Sequence, residues 1–389
     1  MASDHCICGR VVTPFGIIEQ GMVQVSNRRI TAVGPRDERA AGEARELLDF
    51  PGKFIVPGFF DIHCHAGNSG FCYEDPAAFA EWHLRHGVTS ILPTFIYNQS
   101  HDEIMETLGP VVEQVEDERS PITGIHMEGP YINPRYGAIT SPIRPVNRQE
   151  YEQILQRAGH QIRLWTLAPE LEGQNEFMET AARYGIVFSV GHSEASAEMI
   201  LEAYRYGLHL GCHLTNASGT TPSPSRYEGT REVGVHEAVL LHDDMYAEVI
   251  PDRDGVHVRP LMLRLIVKTK GTDRVILITD ATGSVDNEEK GRDGRDVRII
   301  MSNENSPTAA GRELLSGSLL TLNRAVRNMM NHTGVGIVEA CKMASLNPAR
   351  LLGMDREIGS LEMGKRADIL AVSEEIAPQM VMLNGEVRY

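Results

Sequence analysis

The sequence lacks the features that mark several common classes of protein. Its 389 residues carry 53 acidic and 37 basic side chains, a net charge of −16, so it has no basic field of the kind that binds a nucleic-acid backbone. No apolar run reaches the ~18 residues that a membrane-spanning helix requires. The six cysteines show no regular spacing, which favours reduced thiols. We therefore expect a cytoplasmic protein that binds neither nucleic acid nor membrane.

Short apolar runs recur through the middle of the chain, and helical stretches separate them. The runs are FIVPGFFDIH, TSILPTF, ITGIHMEGP, IRLWTLAPE, GIVFSVGHS, GLHLGCHLTN, MYAEVIPD and VILITDAT. Eight strands alternating with helices are typical of a (β/α)₈ barrel. An open, doubly wound sheet is the alternative, but such sheets usually carry a GxGxxG phosphate loop after the first strand. No such motif is present, so we predict the barrel.

The two ends of the chain have a different character from the middle. GMVQVSNRRITAVG near the N terminus alternates apolar and polar residues around an Asn-Arg-Arg turn, and LNGEV near the C terminus carries the Asn-Gly of a hairpin. Two β-rich ends that flank a barrel suggest that both termini pair into one small sheet domain. We predict this domain for residues 1–56 and 357–389, and the barrel for residues 57–356.

Polar residues stand at the C-terminal ends of several apolar runs, which is the catalytic end of a barrel. His63 and His65 end the first run and, being two apart, point to the same face of the strand. The remaining polar residues of this kind are His126, Glu128, His192, His213 and Asp280. A single strand-end histidine is more often structural, and Asp280 alone could cap a helix. Together they predict a metal-dependent hydrolase.

Imidazole and carboxylate ligands suit Zn²⁺ or Fe²⁺, and these side chains are numerous enough to bind one or two ions. A metal-bound water has a pKa near 7, which supplies hydroxide at neutral pH. We expect Asp280 to take the proton from that water as general base and to return it to the leaving amine.

A series of stretches from about residue 50 to the C terminus resembles the amidohydrolase superfamily, and within it the N-acetylglucosamine-6-phosphate deacetylase family. The stretches follow that family's order and are VPGFFDIHCHAG, HGVTSILPT, GIHMEGPYINP, TLAPE, VGHSEA, HLTNA, DGVHV, LITDA, LSGSLLTLNRAVRN, LNPARLLG and GSLEMGKRADILAV. HMEGPYINP, TLAPE and DGVHV are the most specific to the deacetylases.

The resemblance implies a (β/α)₈ TIM barrel of the α/β class with a small β-sandwich domain formed by both termini. It implies deacetylation of an N-acetylhexosamine 6-phosphate, with the main metal on Glu128, His192 and His213. His63 and His65 would supply a second metal, which only some members bind, and Asp280 matches the family's catalytic acid-base residue.

The resemblance also implies a phosphate site and a homodimer. Asn216 and Ala217 match backbone contacts to the phosphate, while Arg231 and His257 match the side chains that grip it. An arginine suits a phosphate dianion because its planar guanidinium can donate two hydrogen bonds. The alternative for Arg231 is a solvated loop charge, and for His257 a residue at the start of a helix.

The sequence departs from the family pattern at both ends of the expected substrate. Ile139 stands where the family has a histidine that polarises the acetyl carbonyl, Ser218 replaces a methionine, and the 218–230 loop is altered. These changes keep open an amidohydrolase that acts on a different amide, a lactone or a cyclic imide. A non-catalytic descendant of the barrel is a third alternative, which the retention of every ligand and of Asp280 disfavours.

Overall fold

The computed structural model describes residues 3–68, 70–137, 143–219, 232–283, 297–301 and 313–389. Eight parallel strands form the central sheet, in an order that follows the chain from the first strand to the eighth. They are Phe59–Cys64, Val88–Phe95, Ile125–Glu128, Ile162–Leu167, Val187–Val190, Leu208–Gly211, Tyr246–Val249 and Val275–Leu277. Each strand comes from one of the eight apolar runs, so the prediction of a (β/α)₈ barrel is confirmed.

Hydrogen bonds just beyond the eighth strand bring it against the first. The Asp280 N–H donates to the carbonyl of His63 over 2.8 Å, and the His65 N–H donates to the carbonyl of Ala281 over 2.9 Å. The Thr279 hydroxyl adds a bond of 2.7 Å to the Asp61 carboxylate. Because these bonds close the barrel at the carboxyl ends of both strands, they place His63 and His65 beside Asp280.

Helices follow the barrel strands and cover them. Their bounds are Pro76–Arg85, His101–Glu116, Arg148–Ala158, Gln174–Ala182, Ala197–Tyr204, Val235–Leu241, Pro260–Lys270 and Leu322–Thr333. The second begins with a capping box of Ser100 and Glu103, and it buries Ile104, Leu108 and Val111, which share one face of the helix. After the eighth of these helices come two short helices, Ile337–Cys341 and Asn347–Leu351, with a π-helical turn at Lys342–Leu346 between them.

Both termini contribute to a separate seven-stranded sheet, as predicted. Its strands are Glu386–Val387, Pro378–Leu383, Ile369–Val372, Glu46–Pro57, His5–Thr13, Gly16–Ser26 and Arg29–Pro35 in spatial order. A short helix, Glu38–Glu43, precedes the Glu46–Pro57 strand. The predicted hairpins are present, with Asn27-Arg28 and Asn384-Gly385 at their turns in the left-handed region.

The terminal sheet is rolled, so that its two edges meet. Arg28, in the turn at one edge, forms an ion pair of 3.4 Å with Glu386 at the other edge. Ile30 and Met382 therefore lie in the same buried apolar cluster although their strands are far apart in the sheet order. This closed arrangement agrees with the small β-sandwich that was expected beside the barrel.

Two further pairs of strands form small sheets of their own, separate from the barrel and the terminal sheet. Ala66–Gly67 pairs with Gly70–Phe71 directly after the first barrel strand. Val297–Met301 pairs with Glu313–Ser318 after the eighth, and the Ser318 N–H donates to the carbonyl of Asp280 over 2.8 Å. Among the helices of the described residues, none combines the length and apolar character that a membrane span requires.

Candidate metal centre and active site

Three predicted ligands meet at the carboxyl end of the barrel. Glu128 is the last residue of the third strand, while His192 and His213 follow the fifth and sixth strands by two residues each. Glu128 Oε1 lies 2.9 Å from His192 Nε2 and 3.4 Å from His213 Nε2, and the two Nε2 atoms are 3.2 Å apart. All three side chains are buried. We call this set the main donor site.

The spacing within the main donor site suits a single divalent ion. Nitrogen and oxygen ligands lie about 2.0–2.1 Å from zinc, so neighbouring donors in a tetrahedral shell are about 3.3 Å apart. The three separations of 2.9, 3.4 and 3.2 Å are close to that value. Two imidazole nitrogens and one carboxylate oxygen are also a usual donor set for such a metal. The residues present therefore fit the metal that the sequence predicted.

The histidine pair and Asp280 form a second set of donors beside the first. His65 Nε2 lies 3.2 Å from Asp280 Oδ1, and His63 Nε2 lies 3.6 Å from the same oxygen. The Glu128 carboxylate faces this group too, at 3.4 Å from His65 Nε2 and 3.5 Å from His63 Nε2. We call His63, His65 and Asp280 the paired-histidine group. Glu128 lies between the two sets and could contact an ion in either.

The charges in the site keep the carboxylates of Glu128 and Asp280 ionised. Burial by itself would raise the pKa of Glu128, but His192 and the hydrogen bonds from His192 and His213 hold that pKa well below its ordinary value. For Asp280 burial likewise acts to raise the pKa, and His63 and His65 outweigh it, so the pKa is lowered. Burial lowers the pKa of His192 and favours its neutral form. Burial acts in the same direction on His213, but Cys212 and Glu128 outweigh it and raise the pKa of His213 well above its ordinary value. Metal binding requires anionic carboxylates and neutral imidazoles, so an ion at the main donor site would displace the extra proton of His213.

The backbone is strained where the site residues leave their strands. Eight non-glycine residues of the described chain have positive φ, and four of them are predicted site residues: His192, His213, Ala217 and Asp280, at φ of 50°, 25°, 48° and 48°. L-residues rarely adopt this region, and each instance costs on the order of 1–3 kcal/mol. Such strain typically concentrates at functional sites, which supports the location of this one.

Two further residues belong to the site and were not singled out from the sequence. Glu248, in the seventh strand, is fully buried with Oε2 3.3 Å from His63 Nδ1. Cys212 Sγ lies 3.7 Å from the same nitrogen. His63, Glu128 and Cys212 are also close enough to hold an ion together. A carboxylate inside the apolar run MYAEVIPD was the available signal for Glu248, whereas nothing in the sequence distinguished Cys212 from the other cysteines.

His126 has a supporting position rather than one among the donor groups. Its ring is fully buried and packs edge-on against His63, with ring centroids 4.6 Å apart. His126 Nε2 lies 2.8 Å from the Thr166 hydroxyl. His65 is held from behind as well, because its Nδ1 lies 3.0 Å from the carbonyl of Thr94. These contacts orient the rings that face Glu128 and Asp280.

The candidate phosphate residues are described only in part. Asn216 Nδ2 is buried and has no hydrogen-bond partner among the described residues, so it is an available donor. His257 is buried, with Nδ1 3.2 Å from Asp252 Oδ2 and Nε2 3.2 Å from the carbonyl of Gly317. Both of its ring nitrogens thus already have protein partners. Arg231, Ile139 and residues 220–230 of the altered loop lie outside the described residues.

A (β/α)₈ barrel with clustered histidines and carboxylates at the carboxyl ends of its strands defines a class of metal-dependent hydrolases. A family model described as "Amidohydrolase family" matches residues 54–388. The chain therefore belongs to the amidohydrolase family, and within it to the N-acetylglucosamine-6-phosphate deacetylases, because a relative of that name is 30% identical over 97% of the chain. The predicted enzyme class, an amidohydrolase, is confirmed.

Curated relatives match over nearly the whole chain. N-acetylglucosamine-6-phosphate deacetylase of Bacillus subtilis is 30% identical over 97% of this chain and 95% of its own length. N-acetylgalactosamine-6-phosphate deacetylase of Escherichia coli O157:H7 is 29% identical over 97% of both chains.

Solved structures agree in fold. A mutant of N-acetyl-D-glucosamine-6-phosphate deacetylase from Mycobacterium smegmatis, in complex with N-acetyl-D-glucosamine-6-phosphate, superposes with a TM-score of 0.84 at 28% identity, covering 99% of each chain. The N-acetylglucosamine-6-phosphate deacetylase of Thermotoga maritima superposes with a TM-score of 0.79 at 26% identity, covering 97% of this chain and 98% of its own.

Proposed function

We propose that the protein deacetylates an N-acetylhexosamine 6-phosphate, with a divalent metal ion held by the main donor site. The observation that carries this proposal is the convergence of Glu128, His192 and His213 at metal-ligand spacing, beside Asp280, in a chain whose relatives are named for that reaction. The reaction breaks the amide C–N bond and yields acetate and the free amine.

In the proposed reaction Asp280 moves the proton. A divalent ion supplies Lewis acidity toward a carbonyl oxygen and lowers the pKa of a coordinated water to about 7. The Asp280 carboxylate, whose pKa lies below its ordinary value, is ionised at neutral pH and can accept a proton from the attacking water. It then donates that proton to the amide nitrogen as the C–N bond breaks, so that the amine leaves neutral.

His63 and His65 have two possible contributions to this step. Their Nε2 atoms lie 3.6 and 3.2 Å from Asp280 Oδ1, which fixes the carboxylate in place. The same nitrogens could bind a second ion, as the resemblance implies for some members of the family. Determining the number of bound ions separates these contributions.

We further propose that the phosphate is bound by Asn216, Ala217, Arg231 and His257. Asn216 supports this because its buried Nδ2 has no partner among the described residues. His257 would have to exchange its contact with the Gly317 carbonyl for one with the phosphate. For the metal we propose Zn²⁺ or Fe²⁺, because the main donor site combines imidazole and carboxylate.

A homodimer in the cytoplasm completes the proposal. All six cysteines are free and buried, which fits a reducing compartment. Size-exclusion chromatography with light scattering would test the dimer directly.

The decisive experiment combines metal analysis with a substrate panel. N-acetylglucosamine 6-phosphate, N-acetylgalactosamine 6-phosphate and their unphosphorylated counterparts would be supplied to protein of known metal content, and released acetate would be measured. We expect a phosphorylated sugar to be the best substrate by at least tenfold in kcat/KM. Equal rates with and without phosphate would contradict the phosphate site and favour the alternative that Ile139 and the altered loop keep open, an amidohydrolase of a different amide, lactone or cyclic imide.

A further inference from the structure

We propose that Glu248 is a positioning residue that fixes the orientation and tautomer of His63 and the backbone turn at His213. The inference builds on the metal site of the proposed function, but it concerns how the protein prepares its donors and not which substrate is used. It assigns a role to a buried carboxylate that the catalytic scheme above does not use.

The first argument is the burial of Glu248. Its side chain is fully inaccessible, within a strand whose neighbours Ala247 and Val249 are also fully buried. A buried carboxylate is costly unless hydrogen bonds compensate it, and an apolar residue would usually be more favourable in a barrel strand. Within the described chain Oε2 contacts His63 Nδ1 and the His213 N–H, each at 3.3 Å, while Oε1 is buried without a partner. The contacts of Glu248 are therefore directed at the metal centre.

The second argument concerns the ring of His63. Its Nε2 faces Glu128 and Asp280 at 3.5 and 3.6 Å, whereas its Nδ1 faces Glu248. A neutral imidazole carries one N–H, and the hydrogen bond on one nitrogen decides which lone pair is available on the other. Because a carboxylate only accepts, it favours the proton on Nδ1 and leaves the Nε2 lone pair directed into the site. Carboxylates that orient metal-binding histidines act in this way.

The third argument concerns the turn at His213. Glu248 accepts the His213 N–H through its side chain, and its backbone carbonyl accepts the Leu214 N–H over 2.9 Å. His213 has a φ of 25°, an unfavourable value for a non-glycine residue. One residue of the seventh strand thus supports a strained ligand of the main donor site and a histidine of the paired-histidine group.

Cys212 is the competing partner of His63, because its Sγ lies 3.7 Å from the same Nδ1. A thiol sulfur is a weaker hydrogen-bond acceptor than a carboxylate oxygen, and its distance is longer. The proposal therefore assigns the tautomer to Glu248, and a Cys212→Ala variant tests that assignment.

The test measures Zn²⁺ affinity and the His63 tautomer, so that it is independent of any substrate. Competition with a chromophoric chelator gives the affinity, and ¹⁵N-imidazole NMR of the metal-free protein, assigned with a His63→Gln variant and recorded at a pH high enough for the imidazole to be neutral, gives the tautomer. We expect Glu248→Leu to weaken Zn²⁺ binding by about 10- to 100-fold and to lose the Nδ1–H form. Glu248→Gln should keep that tautomer and lose less affinity, because its amide oxygen still accepts both hydrogen bonds.

A matched control is Glu150→Gln, which removes the charge of a buried carboxylate that pairs with Arg144 in an outer helix. It should leave both readouts at the wild-type values. If Glu248→Leu does not fold, Glu248→Asp decides, because the shorter side chain withdraws the carboxylate from His63 and should also weaken Zn²⁺ binding.

Wild-type affinity and tautomer in Glu248→Leu, or in the Asp variant when only that one folds, would overturn the proposal. A loss of the Nδ1–H form in Cys212→Ala but not in the Glu248 variants would overturn it as well. A wild-type protein without deacetylase activity would instead contradict the proposed function and leave these two measurements valid.

Discussion

Replacing Asp280 by asparagine separates proton transfer from metal binding. Asparagine has the same size, and its amide oxygen can still face His65 Nε2, which lies 3.2 Å from the carboxylate oxygen. The main-chain bonds of Asp280 to His63 and Ser318 do not involve the side chain. Asparagine also tolerates the left-handed backbone, here a φ of 48°, better than most residues. We therefore expect Asp280→Asn to fold normally and to keep the ion of the main donor site.

The size of the effect follows from the lost proton acceptor. The amide cannot take a proton from water at neutral pH, whereas the carboxylate of the wild type is ionised there because its pKa is lowered. A well-placed general acid-base group contributes about 10²- to 10⁴-fold in rate, which corresponds to about 2.7–5.4 kcal/mol of activation free energy. We expect kcat to fall by that factor while KM changes little.

The assay is steady-state acetate release from the preferred phosphorylated sugar, with metal content and Tm measured on the same preparation. These two measurements are the control, because they must match the wild type for the comparison to hold. A variant with kcat within about threefold of the wild type would refute the acid-base role of Asp280. A variant that loses its metal would show instead that Asp280 is chiefly a ligand.

Three further predictions address the metal, the backbone and the phosphate. Removal of the metal with a chelator should abolish activity and lower Tm, and Zn²⁺ or Fe²⁺ should restore both. The change in Tm is expected because a ligand at 100 times its Kd stabilises the folded state by about 2.7 kcal/mol. Unchanged activity in metal-free protein would contradict the metal site. Gly317→Ala should reduce both stability and kcat, because φ is 64° and a Cβ there would lie 2.5 Å from the Asp280 carbonyl oxygen. Gly334→Ala is the matched control for backbone strain alone, because Gly334 has a φ of 82° and open space around it. Equal losses of activity in the two variants would show that the clash with the Asp280 carbonyl is not the cause. Arg231→Ala should raise KM for the phosphorylated sugar far more than for its neutral analogue, and the phosphate assignment fails if both rise equally.

The strand ends and the donors on them could be predicted from sequence because they depend on local pattern. Apolar runs of strand length mark the barrel, and a polar residue at the end of such a run lies at the carboxyl face whatever the packing. That reasoning places Glu128, His192 and His213 correctly relative to their strands, as it does His63 and His65.

The remaining features depend on relations between strands, which the local pattern does not contain. The contact of Glu248 with His63 joins residues 185 positions apart, and it requires the register of the seventh strand against the first. The Gly317 contact with His257 likewise depends on how the segment after the eighth strand folds back. Positive φ at His192, His213 and Asp280 could not be predicted either, because non-glycine residues adopt it only when the surrounding structure enforces it.

The rolled terminal sheet has a consequence for the order in which the chain can fold during synthesis. The Glu46–Pro57 strand pairs on one side with His5–Thr13 and on the other with Ile369–Val372, and about 310 residues of chain separate Pro57 from Ile369. At ribosomal rates of about 5–20 residues per second, one edge of the N-terminal strands stays open for about 15 to 60 s. An open strand edge can pair with another chain, so the nascent protein is most exposed to aggregation before the Ile369–Val372 strand has been made.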